Sequence, residues 1–398
     1  MKILVLNVGS SSVKFKLFYG ETLKVLASGI IEGIRESTGK VSFQKEEEIY
    51  HHTESLKDHT EALLSLMHLL TSHHIVDSFD SLDAVGHRVV HGGDKFWRPT
   101  LIASAVMEEI DALIELAPLH NPANLEGIRI VASIAPNVPQ VAVFDTAFHH
   151  TMPSLAHRYA LPSYYYDKLR VRRYGFHGTS HQYVARTTAG AMNRDINELN
   201  LITLHLGNGS SICAIEKGIS IDTSMGMTPL EGLVMGTRSG DIDPGIIFYL
   251  HKEKNMSMDE IEHLLNHESG LQGIAGTNDM RQIEKKMDEG DEAARLAMNL
   301  FVYRILKYIG AYVAVLGKVD ALIFTGGIGE HSVRVREMLC HRLSLFGIEI
   351  DSALNQQVAL HHPRHISTSH SKIEIWVTPT DEERAIAKET LDLLKDTI

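Results

Sequence analysis

Cysteine is nearly absent. Cys213 and Cys340 are the only two in 398 residues. They can make neither a disulfide framework nor a zinc-finger spacing, which suits a reducing compartment. Positive charge is in deficit: 38 Lys and Arg against 50 Asp and Glu leave a net charge of -12. A nucleic-acid partner needs a basic face, so this balance argues against one. It does not argue against a small anionic substrate, because a few local arginines reverse the field inside a cleft. Long hydrophobic runs are missing as well. No stretch reaches about 18 consecutive apolar residues, so no membrane span is expected. Asn7 and the Gly9–Ser12 stretch break the first apolar run too early for a secretory signal, and a cytoplasmic location is the expectation. Neither Gly-x-x-x-x-Gly-Lys-Ser/Thr nor a strand followed by Gly-x-Gly-x-x-Gly occurs.

What is present is a repeated plan of apolar strands and glycine-rich turns. Residues 3–8 and 13–19 read as paired strands around Gly9-Ser10-Ser11-Ser12. Half a chain later, 201–206 and 212–216 flank Gly207-Asn208-Gly209-Ser210-Ser211 in the same way. Such self-similarity is what duplicated domains leave. Further strands are expected at 85–90, 141–144, 322–325 and 374–377, and helices at 55–72, 104–116, 291–317 and 382–396. The 291–317 helix is apolar most of the way round, as befits a core or a subunit interface. At this length two mixed α/β domains are expected, with the boundary near residue 150. Of the 24 histidines, pairs such as His51-His52, His73-His74 and His361-His362 lie in polar, loop-like contexts and read as surface residues rather than a metal site.

Three glycine-rich turns follow apolar strands, at 9–12, 207–211 and 326–329. Each could be an ordinary turn, but together they suit backbone N–H groups converging on phosphate. Around them, HRVVHGGD sets Arg88 in an apolar strand and FDTAFH sets Asp145 at a strand's end. RRYGFHGTSH sets His177 among aromatic and glycine neighbours, and MGTRSGDIDP sets Arg238 in a glycine-flanked loop. Alone, each has a structural reading: edge charge, N-cap, buried histidine, turn residue. As a set they supply two guanidiniums, a carboxylate and an imidazole, which is what phosphoryl transfer to a small anion requires. Thr380 with Glu383 fits a capping box for the last helix.

These stretches, with LAPLHNPANL (116–125), DTSMGMTPLEG (222–232), FTGGIGEHS (324–332) and TPTDEERAIA (378–387), resemble the acetate kinase family over essentially the full length. The resemblance implies two duplicated actin-like ATPase (ribonuclease H-like) α/β domains with a nucleotide cleft between them. One spans 1–149 with helix 384–398 packing back on it; the other spans 150–383 and binds nucleotide. It implies reversible transfer of the ATP γ-phosphoryl to acetate, giving acetyl phosphate and ADP. Mg2+ is the implied ion, with Mn2+ able to substitute, and a homodimer the implied assembly. By the same resemblance Arg88, Asp145, His177 and Arg238 are catalytic. Arg88, Val90, Leu119, Phe176 and Pro229 bind acetate, and Asn7 and Glu382 govern the metal. Ser10, Ser12, Lys14, His205, Gly207, Asn208, Gly209, Asp279, Met280, Arg281, Gly327, Ile328 and His331 bind the nucleotide.

Four positions depart from the family pattern, among them Gln272, where an apolar residue is common. His331 stands where Asn is usual, Asp381 where Asn is usual, and Met280 where an aromatic is usual. A propionate kinase would share the chemistry with a different pocket; a non-kinase ATPase of the same superfamily would form no acyl phosphate.

Overall fold

The computed structural model describes residues 1–357 and 361–397; residue 398 of the expected last helix lies outside them. The chain divides into two units, Met1–Phe148 with Asp381–Ile398, and His149–Thr380. Asp381, Glu382 and Glu383, expected with the second domain, are thus in the first unit, and His149, expected with the first, is in the second.

The first unit holds strands β1 (Lys2–Val8), β2 (Ser12–Tyr19), β3 (Lys24–Glu32), β4 (Gly39–Lys45), β5 (Glu48–Glu54), β6 (Ala84–Val89), β7 (Thr100–Leu101) and β8 (Gln140–Phe144). They form one sheet in the order β5-β4-β3-β2-β1-β6-β8-β7. The second unit holds β9 (Asn200–Leu206), β10 (Ser210–Glu216), β11 (Ile219–Thr223), β12 (Ala321–Thr325), β13 (Arg364–His365) and β14 (Glu374–Val377), ordered β11-β10-β9-β12-β14-β13. Within each sheet the same five-strand motif appears. Two antiparallel hairpin partners lead into a strand that then has two parallel neighbours: β3-β2-β1-β6-β8 and β11-β10-β9-β12-β14. The duplication hinted at by two glycine-rich hairpins is therefore a duplication of topology.

Alternation of side chains along β1 and β2 sends them into two of the first unit's core clusters. Leu4, Leu6, Val8, Val13, Phe15 and Leu17 face one cluster; Ile3, Val5 and Phe18 face another, closed by Ile386, Ala387, Leu391 and Leu394 of the C-terminal helix Glu382–Thr397. That helix lies close to the sheet because β6 offers Gly86. A Cβ there would sit 2.7 Å from Thr390 Oγ1 and 2.9 Å from Ile386 Cγ2.

In the second unit Ile202, Leu204, Leu206, Ile212 and Ala214 join a core with Phe301, Val302, Ile305 and Ile309 of helix Glu292–Leu316. Among the described residues this is the one helix long and apolar enough to cross a membrane by length and composition. One face of it packs into the core, while Leu296, Leu300 and Tyr303 are exposed.

Three expected elements differ. The helix expected from 55 begins at His59, because Asp58 caps it by accepting from the Glu61 N–H at 2.9 Å. The helix expected over 104–116 is α-helical only to Ala112 and then tightens into a 3₁₀ turn, Leu113–Leu116. Pro118 disfavours helical backbone in the residue before it. The third glycine-rich stretch is not a free turn: Gly326–His331 is itself a short helix following β12, entered through Gly326 at φ 75°.

Candidate active-site residues

In the first unit the pleat brings polar residues to one face at the carboxyl ends of the parallel strands, the usual place for ligands in such sheets. Asn7 pairs with Lys14, and Arg88 lies beside Val143, two residues before Asp145. Asp145 is buried and accepts from Arg88 Nε at 3.0 Å and Nη2 at 2.5 Å. Glu382, opening the C-terminal helix, lies 3.6 Å from Arg88 Nε. Burial opposes the charge of Arg88, but Asp145 and Glu382 overcompensate and hold it firmly protonated. Burial raises the Glu382 carboxyl above its ordinary range; Arg88 opposes the rise, and the like charges of Asp145 and Glu383 add to it. A carboxylate crowded by others is one that a cation relieves. No group of three His, Cys, Asp or Glu among the described residues could hold a metal alone. Asp145 and Glu382 fit an ion that takes one or two carboxylates and completes its shell with water and phosphate oxygens, as Mg2+ does.

The last helix is capped differently from expectation. Asp381 accepts from the Arg384 N–H at 3.0 Å, so Asp381 is the N-cap. Thr380 instead shares a hydrogen bond with Ser180 (2.8 Å), and its N–H donates to Glu330 at 3.1 Å. Glu383, freed from capping, pairs with Lys14 at 2.7 Å and Lys16 at 3.6 Å. Burial opposes its ionisation, yet the two lysines pull its carboxyl below the ordinary range. Lys14 therefore has an ionic partner in the fold, while Ser10 is exposed and Ser12 half-buried in the first hairpin turn. Val90 is buried and its N–H donates to Asn124 Oδ1 at 3.0 Å; Asn124 Nδ2 donates to the Val8 carbonyl at 2.7 Å. Asn124 thus ties the ends of β1 and β6 together, a role the sequence reading missed although it lies in a quoted motif. Leu119, in contrast, is 49% exposed.

The second unit assembles its own set. His177 precedes helix Gly178–Ala191 in left-handed backbone, φ 56°. Its ring stacks on His205 with centroids 4.3 Å apart. A Cβ added to Gly209 would lie 3.3 Å from His177 Nε2 and 3.6 Å from Arg238 Nη1. The glycine thus lets imidazole, guanidinium and the β9–β10 turn converge. Gly236 does the same for the loop bearing Arg238: a Cβ there would meet Asn208 Oδ1 at 1.9 Å, and its N–H donates to the Asn208 carbonyl at 2.9 Å. Arg238 is half-buried, and burial lowers its pKa. Its Nη1 reaches only the Pro229 carbonyl (3.4 Å) and Met235 Sδ (4.0 Å); no carboxylate pairs with it among the described residues. Phe176 is buried, and Pro229 half-buried.

Beside this set lies a cleft of ≈ 400 Å³ lined by Gly207, Asn208, Asn278, Asp279, Met280, Arg281, Glu284, Gly327, Ile328, His331 and Ser332. Eight of these were singled out from sequence as nucleotide-binding, and the structure brings them together. Asn278, Glu284 and Ser332 were not. Asn278 Nδ2 donates to Asn208 Oδ1 at 3.1 Å, and Ser332 hydrogen-bonds Glu284. Asp279 caps the helix Met280–Asp288 and pairs with Arg281 at 2.7 Å.

Comparison with known proteins adds an independent line. The model of the Acetokinase family matches residues 2–388. An acetate kinase of Sulfurovum sp. is 54% identical over 391 residues, 98% of each chain. One of Helicobacter pylori is 51% identical over 405 residues, covering 99% of this chain and all of that one. Among solved structures, a Porphyromonas gingivalis acetate kinase superposes with TM-score 0.93 at 43% identity, over 99% of both chains. A propionate kinase of Francisella tularensis superposes with TM-score 0.92 at 44% identity, over 98% of both.

Proposed function

The chain belongs to the acetokinase family and is a kinase acting on acetate; from that premise we propose how its residues move the phosphoryl group. ATP or ADP as co-substrate and a divalent cation come with the family; Mg2+, with Mn2+ able to replace it, is our reading of the ion. When bound, the ion offsets charge on the phosphate oxygens. Asp145 and Glu382, with Asn7 nearby, would hold it.

Acetate is ionised at neutral pH and needs no general base. The difficulty is bringing one anion to another, so positioning and charge stabilisation are the whole task. An acetate oxygen attacks the γ-phosphorus, the bond from phosphorus to the ADP oxygen breaks, and no proton moves. Arg238 carries this reading: a guanidinium partly withdrawn from water, without a carboxylate among the described residues, facing Gly209 and His177. It lacks an anion that a transferring phosphoryl or a substrate carboxylate would supply. His177 donates to the phosphoryl oxygens, and Arg88 holds Asp145 and Glu382 in place while facing substrate. The ≈ 400 Å³ cleft takes the adenosine. Val90, Leu119, Phe176 and Pro229 contact the acetate methyl.

Direct transfer has a stereochemical test. ATP made chiral at the γ-phosphorus should give acetyl phosphate of inverted configuration; retention would mean a phosphoenzyme and overturn the in-line reading. Propionate is the second acceptor to consider, because the propionate kinase structure superposes almost as closely as the acetate kinase. We read the assembly as a homodimer: Leu296, Leu300 and Tyr303, spaced along one side of helix Glu292–Leu316, leave apolar surface exposed. The two unpaired cysteines accord with a reducing cytoplasm.

A further inference from the structure

The polar face of the second sheet contains hydrogen-bonding groups that the transfer chemistry does not use. Alternation sends Ile202, Leu204 and Ile212 into the core, which leaves Thr203, His205 and Ser211 on the opposite face. Helix Gly178–Ala191 packs over that face. His177 and His181, four apart, look the same way from it. His181 and Thr203 are fully buried, as is Ser211. His181 Nδ1 lies 2.7 Å from Thr203 Oγ1, His181 Nε2 lies 2.7 Å from Ser211 Oγ, and Ser211 Oγ lies 2.9 Å from His177 Nδ1.

We propose that Thr203, His181 and Ser211 form a one-way hydrogen-bond relay that holds His177 as a neutral imidazole with its proton on Nε2. The direction follows from counting hydrogens. Burial, with the neighbouring His149 and His205 adding to it, keeps His181 neutral, so one ring nitrogen donates and the other accepts. Among the described residues the Thr203 hydroxyl has one acceptor in reach, His181 Nδ1. If Thr203 donates there, His181 Nε2–H donates to Ser211 Oγ. The Ser211 hydroxyl then donates to His177 Nδ1, and the His177 proton sits on Nε2. Reversing the chain strands the Thr203 hydrogen in a buried site, which disfavours that state by about tenfold or more. A doubly protonated His177 also strands a buried hydrogen. It would donate to Ser211, and either the Ser211 hydrogen or, if Ser211 donates to His181 Nε2, the Thr203 hydrogen would then lack an acceptor. The result is a ring with a hydrogen-bond donor on Nε2, the nitrogen on the Gly209 side. The relay residues are positioning residues, and their use in catalysis rests on the reading of His177 as a donor to the phosphoryl group.

The test reads the tautomer and the rate separately, on the full-length enzyme with ¹⁵N-labelled histidine. The His177 signals are identified by their loss in His177→Gln. In the wild type, His177 should show a protonated Nε2 and an unprotonated Nδ1. Thr203→Val removes one hydroxyl at nearly constant volume. It should shift His177 toward a tautomer mixture and lower kcat about tenfold, with KM for acetate and ATP within about twofold. Thr203→Ser should restore both, and Ser211→Ala should move the spectrum in the same direction. A wild-type ring protonated on Nδ1, or a spectrum unchanged in folded Thr203→Val, would overturn the relay. A shifted spectrum with wild-type kcat would overturn its catalytic use. If His177→Gln is also fully active, the fault lies in the reading of His177 as donor.

Discussion

Arg238 and Glu382 are opposite cases of a charge held at some cost. Arg238 lacks a carboxylate among the described residues, and its pKa is lowered by burial. If it stabilises charge in the transition state, Arg238→Ala should lower kcat by roughly 10²–10³, the usual loss for one such donor. Lysine should rescue poorly, since a point charge does not reproduce the planar fork; steady-state kinetics of both variants decide this. Glu382 has the reverse fault, too much negative company. Its folded-state pKa is raised, first by burial. The native state therefore holds the proton more tightly than the unfolded chain does. The resulting penalty is absent at low pH and grows as pH rises through the folded value. Glu382→Gln should accordingly raise Tm of the ligand-free protein near neutral pH, by on the order of 2 °C, while sharply raising the Mg2+ needed for turnover. An unchanged Mg2+ titration would remove Glu382 from the metal set. Arg88 stands out in the sequence as a charge in an apolar strand, Asp145 as an acid at a strand's end, and His177 as an imidazole between aromatic and glycine neighbours; their roles in transfer are proposals. Glu383 was misread because three acids in a row each suit a helix start; only the fold shows that Asp381 takes the cap and Glu383 takes Lys14.

At the scale of elements, the position of Glu382 depends on how closely its helix lies on β6. Gly86 sets that distance, with Thr390 Oγ1 and Ile386 Cγ2 at 2.7 and 2.9 Å from where a Cβ would be. Gly86→Val should force the helix outward at a cost of about 1–3 kcal/mol, as overpacking does. Denaturant unfolding should show that loss, and Mg2+ titration should show weakened metal use with the residues lining the ≈ 400 Å³ cleft untouched. Full stability with normal Mg2+ use would contradict this account of the helix. The hairpins β1–β2 and β9–β10 were legible because period-two alternation and a Gly-Ser turn agree with each other. Helix ends were not: Asp58 and the 3₁₀ turn Leu113–Leu116 depend on local hydrogen bonding that apolar spacing does not record. The relay through Thr203 and Ser211 was hidden for a related reason. Small hydroxyl residues in strands read as filler until a helix bearing two histidines is laid across them.

For the molecule as a whole, the two sheets share the order hairpin, hairpin, centre, parallel, parallel, and the family comparison covers 2–388. The sequence showed this duplication only as two similar hairpins, because strands β6, β8, β12 and β14 are short apolar runs with no signature of order. It also could not say how the residues proposed for nucleotide converge. Eight residues from three separated segments, 207–208, 279–281 and 327–331, line one cleft. The central claim is that these parts make an acyl phosphate from a short carboxylate. The direct measurement traps that product with hydroxylamine and reads kcat/KM for acetate, propionate and butyrate with ATP and Mg2+. An apolar pocket distinguishes only by volume, at about 10–200-fold per methylene. Acetate should therefore lead, propionate should follow within that range, and butyrate should be poorer again. Preference for butyrate, or ATP hydrolysis with no hydroxamate from any of the three, would contradict the account.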